Sequence, residues 1–192
     1  LLFRLDNGQR LVAHLRMTGS LLIRSESEPR HRMTRNYFSL DDGRELLFVD
    51  PRKLGMLWLV DDEGPLLNGL GPEPLEREFT AEVLGRILDG RKAPVKALLC
   101  DQGLIAGIGN IYADEVLFAA KIYPFRRRKA LSADEVRVLY EKSREVVESA
   151  IPVLRQRMGE DIHVKVRDFL KVHNKGGEPC PDCGKPISQV TA

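Results

Sequence analysis

The chain has 192 residues, of which 43% are hydrophobic and 30% are charged, and its formal net charge is +2. This composition is typical of a globular protein with enough apolar material for a sizeable core, and it excludes a disordered chain. No apolar run reaches the ~18 residues that a membrane-spanning helix requires, and no N-terminal segment has the pattern of a secretory signal. We therefore expect a cytoplasmic protein with no membrane partner.

Charge is distributed unevenly along the chain. Residues 61–90 contain eight acidic and two basic side chains, whereas residues 121–175 contain fourteen basic and eight acidic ones. A basic half of this kind is typical of proteins that bind a polyanion. A solvated helix surface has the same composition, so charge alone leaves both interpretations open.

Residues 1–60 predict β-structure. Asn7–Gly8 and Asp41–Gly43 each lie between apolar runs, which is the pattern of a hairpin turn, and the polar stretch 25–35 predicts a loop. An antiparallel sheet system, either a sandwich or a barrel, is the expected outcome. The predicted strands are residues 1–5, 10–15, 37–40, 46–49 and 56–60.

After a connector rich in proline and glycine, the apolar pattern becomes helical. Thr80 is placed to cap the first helix, and Ser132 and Glu135 have the spacing of a capping box. Pro152 predicts that the last helix is kinked or divided. The predicted helices are residues 80–88, 94–101, 110–120 and 132–157.

A glycine-rich segment, Gln102–Tyr112, joins two of these helices. Glycine permits close approach of a ligand to the backbone, and the helix that follows offers free N–H groups and the positive end of its dipole. Asn110 stands where a helix cap is expected. The segment predicts a phosphate-binding element, although a tight helix–turn–helix connection has the same pattern. Cys100, in an apolar run just before it, is expected to be a buried thiol.

Two shorter motifs also carry possible chemistry. The turn Asp50–Gly55 presents Arg52 and Leu54 together, which suits insertion into a duplex, although a solvated turn is the simpler interpretation. Cys180 and Cys183 have the spacing of half a tetrahedral zinc site. His173 is a conceivable third ligand, a second cysteine pair is the usual completion, and a surface turn without metal is the alternative.

Taken together and in this order, the motifs resemble the formamidopyrimidine-DNA glycosylase and endonuclease VIII family. The resemblance covers essentially the whole chain, and its most specific part is the Gly-Asn-Ile-Tyr element with its distance to the cysteine pair. The matching segments are residues 14–21, 50–55, 70–75, 107–115 and 177–184.

The resemblance implies an α+β fold in three parts, with DNA lying between the first two. These are a partial β-sandwich domain over residues 1–74, a helix–two-turn–helix DNA-binding domain over 75–170 and the first half of a zinc finger over 171–192. It implies a monomeric, nucleoid-associated bacterial enzyme of base-excision repair that removes oxidised bases such as 8-oxoguanine and formamidopyrimidines from double-stranded DNA. The family then cleaves the abasic site through a Schiff base.

The resemblance also implies roles for individual residues. Met17, Arg52 and Leu54 match the triad that fills the void left by a flipped base, with Leu54 in place of the usual aromatic wedge. Glu115 matches a glutamate that faces the active-site end, and a helix-surface carboxylate is its alternative. His14 is expected to touch the DNA backbone or else to be a core histidine. The remaining residues expected at the DNA are Arg91, Lys96, Gly109, Asn110, Tyr112, Arg167 and Lys175, and the zinc ligands are Cys180 and Cys183.

At two places the sequence departs from the family pattern, and these departures limit what the resemblance implies about the substrate. Met33 stands where a histidine is usual, and the short connection from Phe169 to Pro179 lacks the loop that caps 8-oxopurines, so purine or pyrimidine preference stays open. The family's N-terminal proline and glutamate, its hairpin lysine and its last arginine have no counterpart between Leu1 and Ala192. We expect an internal piece with no catalytic residue of its own, inactive in isolation, with zinc bound only through a half-site.

Three functions remain as hypotheses. The first is the bifunctional glycosylase and abasic-site lyase, and the second is a non-catalytic protein that binds damaged DNA on the same scaffold. The third is a zinc-ribbon module that binds RNA or protein, which leaves the Arg52 turn and the Gly-Asn-Ile-Tyr element unexplained.

Overall fold

The computed structural model describes residues 1–127, 130–158 and 165–190. The chain forms two compact units, which are described separately. Unit 1 comprises Leu1–Asn68 and Arg155–Val166, and unit 2 comprises Gly69–Leu154 and Arg167–Ala192.

Unit 1 contains two antiparallel three-stranded sheets, with strand orders β1-β2-β6 and β3-β5-β4. Both predicted hairpins are confirmed, because β1 pairs with β2 across Asn7–Gly8 and β4 pairs with β5 across Asp41–Gly43. Among the described residues no sheet closes into a barrel, and with the helices of unit 2 the fold class is α+β, as predicted. The strands are β1 (Leu2–Arg4), β2 (Arg10–His14), β3 (Ser20–Ser25), β4 (Thr34–Ser39), β5 (Arg44–Val49) and β6 (Met56–Val60).

The sequence prediction missed strand β3 and the beginning of β4. Strand β3 has three consecutive apolar residues, Leu21–Ile23, and so lacks the alternation that marks a half-buried strand. Strand β4 begins with the polar residues Thr34–Asn36, which read as loop. Pairing with the buried central strand β5 decides the structure of both segments.

One face of the second sheet is covered by the polar loop that the sequence predicted. Met33 packs against a small core of Leu22, Leu47 and Val49. Nearby, the Arg30 guanidinium binds both oxygens of Glu45, a residue only 2% exposed. Met33, which stands where the family usually has a histidine, therefore contributes to packing.

Five helices are described, and the side-chain caps predicted at Thr80 and Ser132 are confirmed. The Thr80 hydroxyl accepts a hydrogen bond from the Val83 N–H, and Ser132 and Glu135 exchange reciprocal bonds. The fifth helix continues through Pro152, so the predicted division is wrong. The helices are α1 (Gly64–Leu67), α2 (Ala81–Leu88), α3 (Val95–Cys100), α4 (Asn110–Ala119) and α5 (Ala133–Met158).

The core of unit 2 is formed by the apolar faces of α2 to α5. It includes fully buried residues from each of these helices, such as Leu84, Leu99, Val116 and Leu139. Cys100 lies at its edge and is only partly buried, which corrects the prediction of a buried thiol, although burial still raises its pKa. No helix within the described ranges is long and apolar enough to cross a membrane.

Candidate nucleic-acid interface

Two turns of unit 1 bring three of the predicted site residues together. Met17 lies in the turn between β2 and β3, and Arg52 and Leu54 lie in the turn between β5 and β6. The Arg52 Nη1 atom is 3.4 Å from the Met17 sulfur. Met17 is 72% exposed and Leu54 45% exposed, so each of the two turns leaves an apolar side chain open to solvent.

Asp50 ties these two turns together, although the sequence prediction assigned it no role. Its buried carboxylate accepts hydrogen bonds from the backbone N–H groups of Leu54 and Gly55, both at 2.7 Å, and from that of Arg52 at 3.2 Å. It also accepts the Thr18 hydroxyl at 2.6 Å. These donors lower the pKa of Asp50 to about 2, with the Thr18 hydroxyl and the Gly55 N–H as the largest causes. An aspartate that opens a Pro-containing turn is the sequence signal for this arrangement.

Each turn also contains a non-glycine residue in the left-handed region. Arg16 has φ of 53° and directly precedes Met17, and Lys53 has φ of 58° and lies between Arg52 and Leu54. Such conformations are costly for residues with a Cβ and are concentrated at functional sites. Their positions in the chain indicate that the turns are shaped for presentation of the side chains next to them.

His14 ends strand β2 beside the same turn. Its side chain is exposed, and its Nδ1 atom accepts the Arg16 N–H at 3.1 Å. The alternative of a core histidine is therefore wrong. Arg35 supports the neighbouring turn by donating to the Asp50 carbonyl at 2.8 Å.

In unit 2, the glycine-rich segment is held by one side chain that the sequence prediction did not single out. The Gln102 amide oxygen accepts the Gly107 N–H at 2.9 Å, and its nitrogen donates to the Ile108 carbonyl at 2.7 Å. The connector closes the other side, because a Cβ at Gly71 would lie 2.2 Å from the Leu104 carbonyl oxygen. Only glycine fits there, which explains the motif at 70–75.

The segment ends at the exposed N-terminus of α4. The cap is Gly109 and not Asn110 as predicted, and among the described residues Gly109 provides no side-chain cap for the first N–H groups of this helix. Gly109 and Asn110 are exposed, whereas Tyr112 packs against the core and its pKa is raised by burial. A helix end with free N–H groups is a site of attraction for anions.

The other predicted cations of unit 2 occupy different surroundings. Arg91 is exposed and donates to the Ile87 carbonyl, and Arg167 is exposed. The Lys175 ammonium lies 3.4 Å from the Asp168 carbonyl oxygen. Lys96 is half-buried, and its ammonium lies 2.7 Å from the Asp114 carboxylate on α4.

Glu115 is buried, which rules out the helix-surface alternative. Its two oxygens accept the backbone N–H groups of Lys171, Val172 and His173 at 2.8 to 2.9 Å. Three donors around one carboxylate satisfy a charge that burial would otherwise penalise. Glu115 thus anchors the segment that leads to the cysteine pair.

The cysteine pair lies on a tight turn. The Gly184 N–H donates to the Cys180 carbonyl and the Cys180 N–H to the Lys185 carbonyl, both at 2.8 Å. His173, considered above as a ligand, instead bonds Asp114 through Nδ1 at 2.8 Å. Residues 1–127, 130–158 and 165–190 contain no group of three or more metal-binding side chains.

Two family models match the chain. The model described as the formamidopyrimidine-DNA glycosylase N-terminal domain matches residues 1–57, and the one described as the formamidopyrimidine-DNA glycosylase H2TH domain matches residues 70–160. The first contains the Met17 and Arg52 turns, and the second contains the glycine-rich segment and α4.

Curated relatives agree with these models. The formamidopyrimidine-DNA glycosylase of Herpetosiphon aurantiacus is 40% identical over 197 residues, which cover 99% of this chain and 72% of that protein. The corresponding protein of Symbiobacterium thermophilum is 46% identical over 99% of this chain and 65% of its own length. The chain belongs to the formamidopyrimidine-DNA glycosylase family and spans about two thirds to three quarters of the length of these relatives.

Solved structures show the same likeness. The MutM (Fpg) protein of Thermus thermophilus is 42% identical with a TM-score of 0.83, and the match covers all of this chain and 74% of that one. The Lactococcus lactis Fpg in complex with DNA containing FAPY-dG is 29% identical with a TM-score of 0.89, over all of this chain and 73% of that one.

Proposed function

We propose that this chain acts in base-excision repair, as part of a DNA glycosylase with abasic-site lyase activity that removes oxidised bases such as 8-oxoguanine and formamidopyrimidines. The observation that carries the proposal is the contact between Arg52 and Met17 on two turns tied by Asp50. The family supplies the activity, and L. lactis Fpg has been solved with FAPY-dG and abasic-site DNA.

The exposed groups of unit 1 suit the void left by a flipped base. The Arg52 guanidinium can replace the hydrogen bonds that the lost base made to its partner, and Leu54 can unstack the adjacent step. Met17 is flexible and polarizable and can fill an irregular space. We assign His14 to the phosphate backbone beside them, because its ring is exposed at the end of the Met17 turn.

The groups of unit 2 suit phosphate contacts, which position a duplex without reading its sequence. Gly109 and Asn110 offer free N–H groups at the start of α4. Lys96 lies on α3, and Tyr112 lies in the first turn of α4. Arg91, Arg167 and Lys175 complete the proposed contacts to double-stranded DNA.

Zinc is the metal that the family implies, and the cysteine turn fits it in part. Cys180 and Cys183 can supply two thiolates, and two backbone hydrogen bonds already close their turn. Since the described residues contain no third ligand beside them, the pair can hold only half of a tetrahedral structural site. When bound, zinc contributes folding stability to such a hairpin and takes no part in the reaction.

The proposal also covers the oligomeric state, the DNA substrate, the location in the cell and the domain organisation. We infer a monomer acting on double-stranded DNA with oxidised or abasic lesions, located in the cytoplasm at the bacterial nucleoid, with no membrane partner. The three-part division at residues 1–74, 75–170 and 171–192 is retained as the proposed domain organisation.

Binding of the 192-residue chain to matched duplexes tests the assigned roles. Fluorescence anisotropy is measured with an abasic-site duplex and with the intact duplex of the same sequence. We expect Arg52→Ala to reduce the preference for the abasic duplex, whereas Lys53→Gly keeps the left-handed backbone, removes the adjacent cation and leaves that preference unchanged. Asn110→Ala, which removes the exposed side-chain amide at the start of α4 and keeps its backbone N–H, should weaken binding to both duplexes equally. If Arg52→Ala and Lys53→Gly alter the preference to the same degree, the assigned role of Arg52 is wrong.

Borohydride trapping tests the chemistry. The gene product read from its native start codon is incubated with duplexes containing 8-oxoguanine or an oxidised pyrimidine, and a covalent adduct establishes the Schiff-base lyase. The lesion that is trapped faster gives the substrate preference. Lesion-selective binding with no adduct on either duplex contradicts the proposed activity and favours a non-catalytic binder.

A further inference from the structure

Asp114 lies at the centre of a small charged cluster in unit 2. One of its carboxylate oxygens is 2.7 Å from the Lys96 ammonium on α3, and the other is 2.8 Å from Nδ1 of His173. About a quarter of the Asp114 and Lys96 side chains is exposed, so both can be reached by an ion from solvent.

The cluster lies beside the proposed phosphate site. Asp114 follows Asn110 by four residues, and residues four apart share one face of a helix, about one turn from each other. Asp114 therefore holds the Lys96 ammonium close to the exposed N-terminus of α4. A phosphate at that helix end meets both the cation of Lys96 and the anion of Asp114.

His173 keeps the carboxylate in place. Its side chain is only 9% exposed, and its backbone N–H is bound by the buried carboxylate of Glu115. Because the imidazole occupies the second oxygen of Asp114, that carboxylate cannot turn away from Lys96 without losing a hydrogen bond.

We propose that Asp114 sets the DNA affinity of this chain by holding Lys96 in an internal ion pair that a phosphate must displace. This inference rests on the proposed function and extends it, because it names a residue that opposes binding. Electrostatic binding to phosphates is independent of sequence. Asp114 therefore lowers affinity for intact and damaged duplexes alike, which limits the time spent on undamaged DNA.

The test is the affinity of Asp114→Asn for the intact and the abasic duplex over a series of NaCl concentrations. Asparagine keeps an acceptor for His173 but gives up the charge. We expect both dissociation constants to fall about three- to tenfold at low salt, since the Lys96 ammonium no longer has to leave an ion pair to meet a phosphate. The plot of log affinity against log salt should steepen by up to about 0.9, because in the native complex the carboxylate freed from Lys96 takes up a cation that offsets one released from the DNA.

Three companion variants make the result specific. Asp134→Asn makes the same charge change on α5, where the side chain is 87% exposed, and should change affinity little. The effect of Asp114→Asn should largely vanish in a Lys96→Met background. Asp114→Ser, which also removes the charge, guards against a folding defect of the first variant, and the circular dichroism of every variant is compared.

The outcomes separate this proposal from the proposed function. If the unaltered chain shows no salt-dependent DNA binding, the proposed function and this inference both fail. If it binds DNA but Asp114→Asn and Asp114→Ser leave the affinity and the salt slope unchanged, or lower the affinity, only this inference is overturned. An equal gain in the Lys96→Met background also overturns it, because Lys96 is then not the group that is released.

Discussion

Replacing Glu115 with glutamine removes the acceptor that ties residues 171–173 to helix α4. In the native chain two carboxylate oxygens serve three backbone N–H donors at 2.8 to 2.9 Å. The glutamine side chain has only one acceptor oxygen. Its NH2 group is itself a donor and cannot accept the hydrogen of the backbone N–H that it meets. One bond is lost, and the other two lose the strength that the charge adds.

The expected magnitude follows from these contacts. A hydrogen bond to a charged group contributes about 1.5 to 3 kcal/mol, and a buried donor left without an acceptor costs about 1 to 3 kcal/mol. We expect Glu115→Gln to destabilise the docking of this segment by about 3 kcal/mol. That value corresponds to about a hundredfold fall in hydrogen-exchange protection, at about 1.4 kcal/mol per factor of ten.

The assay is hydrogen–deuterium exchange resolved to the amides of residues 171–173. Glu141→Gln is the matched control, because Glu141 lies on α5, is half exposed and forms only an exposed ion pair with Arg137. Such pairs contribute about 0 to 1 kcal/mol, so protection should hardly change. Unchanged protection of these amides in Glu115→Gln would refute the reasoning that the carboxylate carries the docking energy.

Three further predictions concern the turn and helix ends. The folded pKa of Asp50, about 2, lies below its ordinary 3.8, so its contribution to stability is present above pH 3.8 and is lost as pH falls towards 2. Asp50→Asn should flatten the dependence of the unfolding midpoint on pH in that window, and an unchanged dependence would contradict this prediction. Lys121 has φ of 57° and an exposed ion pair with Asp182. Both Lys121→Gly and Lys121→Ala remove the ion pair, but only glycine relieves the backbone, so the Tm of Lys121→Gly should exceed that of Lys121→Ala; the reverse order would contradict the backbone argument. Thr80→Ala should lower the free energy of unfolding, measured with denaturant, by about 1 kcal/mol because the cap to Val83 is lost. Thr80→Ser should keep most of that stability, and an equal loss in both variants would mean that the hydroxyl does not stabilise the helix.

Local signals in the sequence were sufficient for the turns and the helix ends. Asn7–Gly8 predicted a hairpin because those residues favour the backbone of a tight turn, and Thr80 and Ser132 predicted caps because their hydroxyls satisfy free N–H groups nearby. Of the two outcomes predicted at Pro152, a kink or a division, the division is wrong, because one missing hydrogen bond did not divide a helix of 26 residues.

Segments whose structure depends on distant partners were not predictable in this way. Strand β3 has no alternation and becomes a strand because the buried strand β5 pairs with it along its whole length. His14 and Glu115 had two interpretations each, and burial excluded the core histidine and the helix-surface carboxylate. Burial is a property of the packed chain, so no spacing rule reports it.

The sequence by itself determined the order of the elements apart from strand β3, the family and the residue types proposed to meet DNA, because motifs and caps act over a few residues. The tertiary structure alone decided which of those residues meet. Asp50 with Thr18, Arg52 with Met17, and Asp114 with Lys96 and His173 are separated by 18 to 59 residues along the chain. These contacts form only when strands and helices far apart in sequence pack together, since each one requires two backbones to be held within a few ångströms.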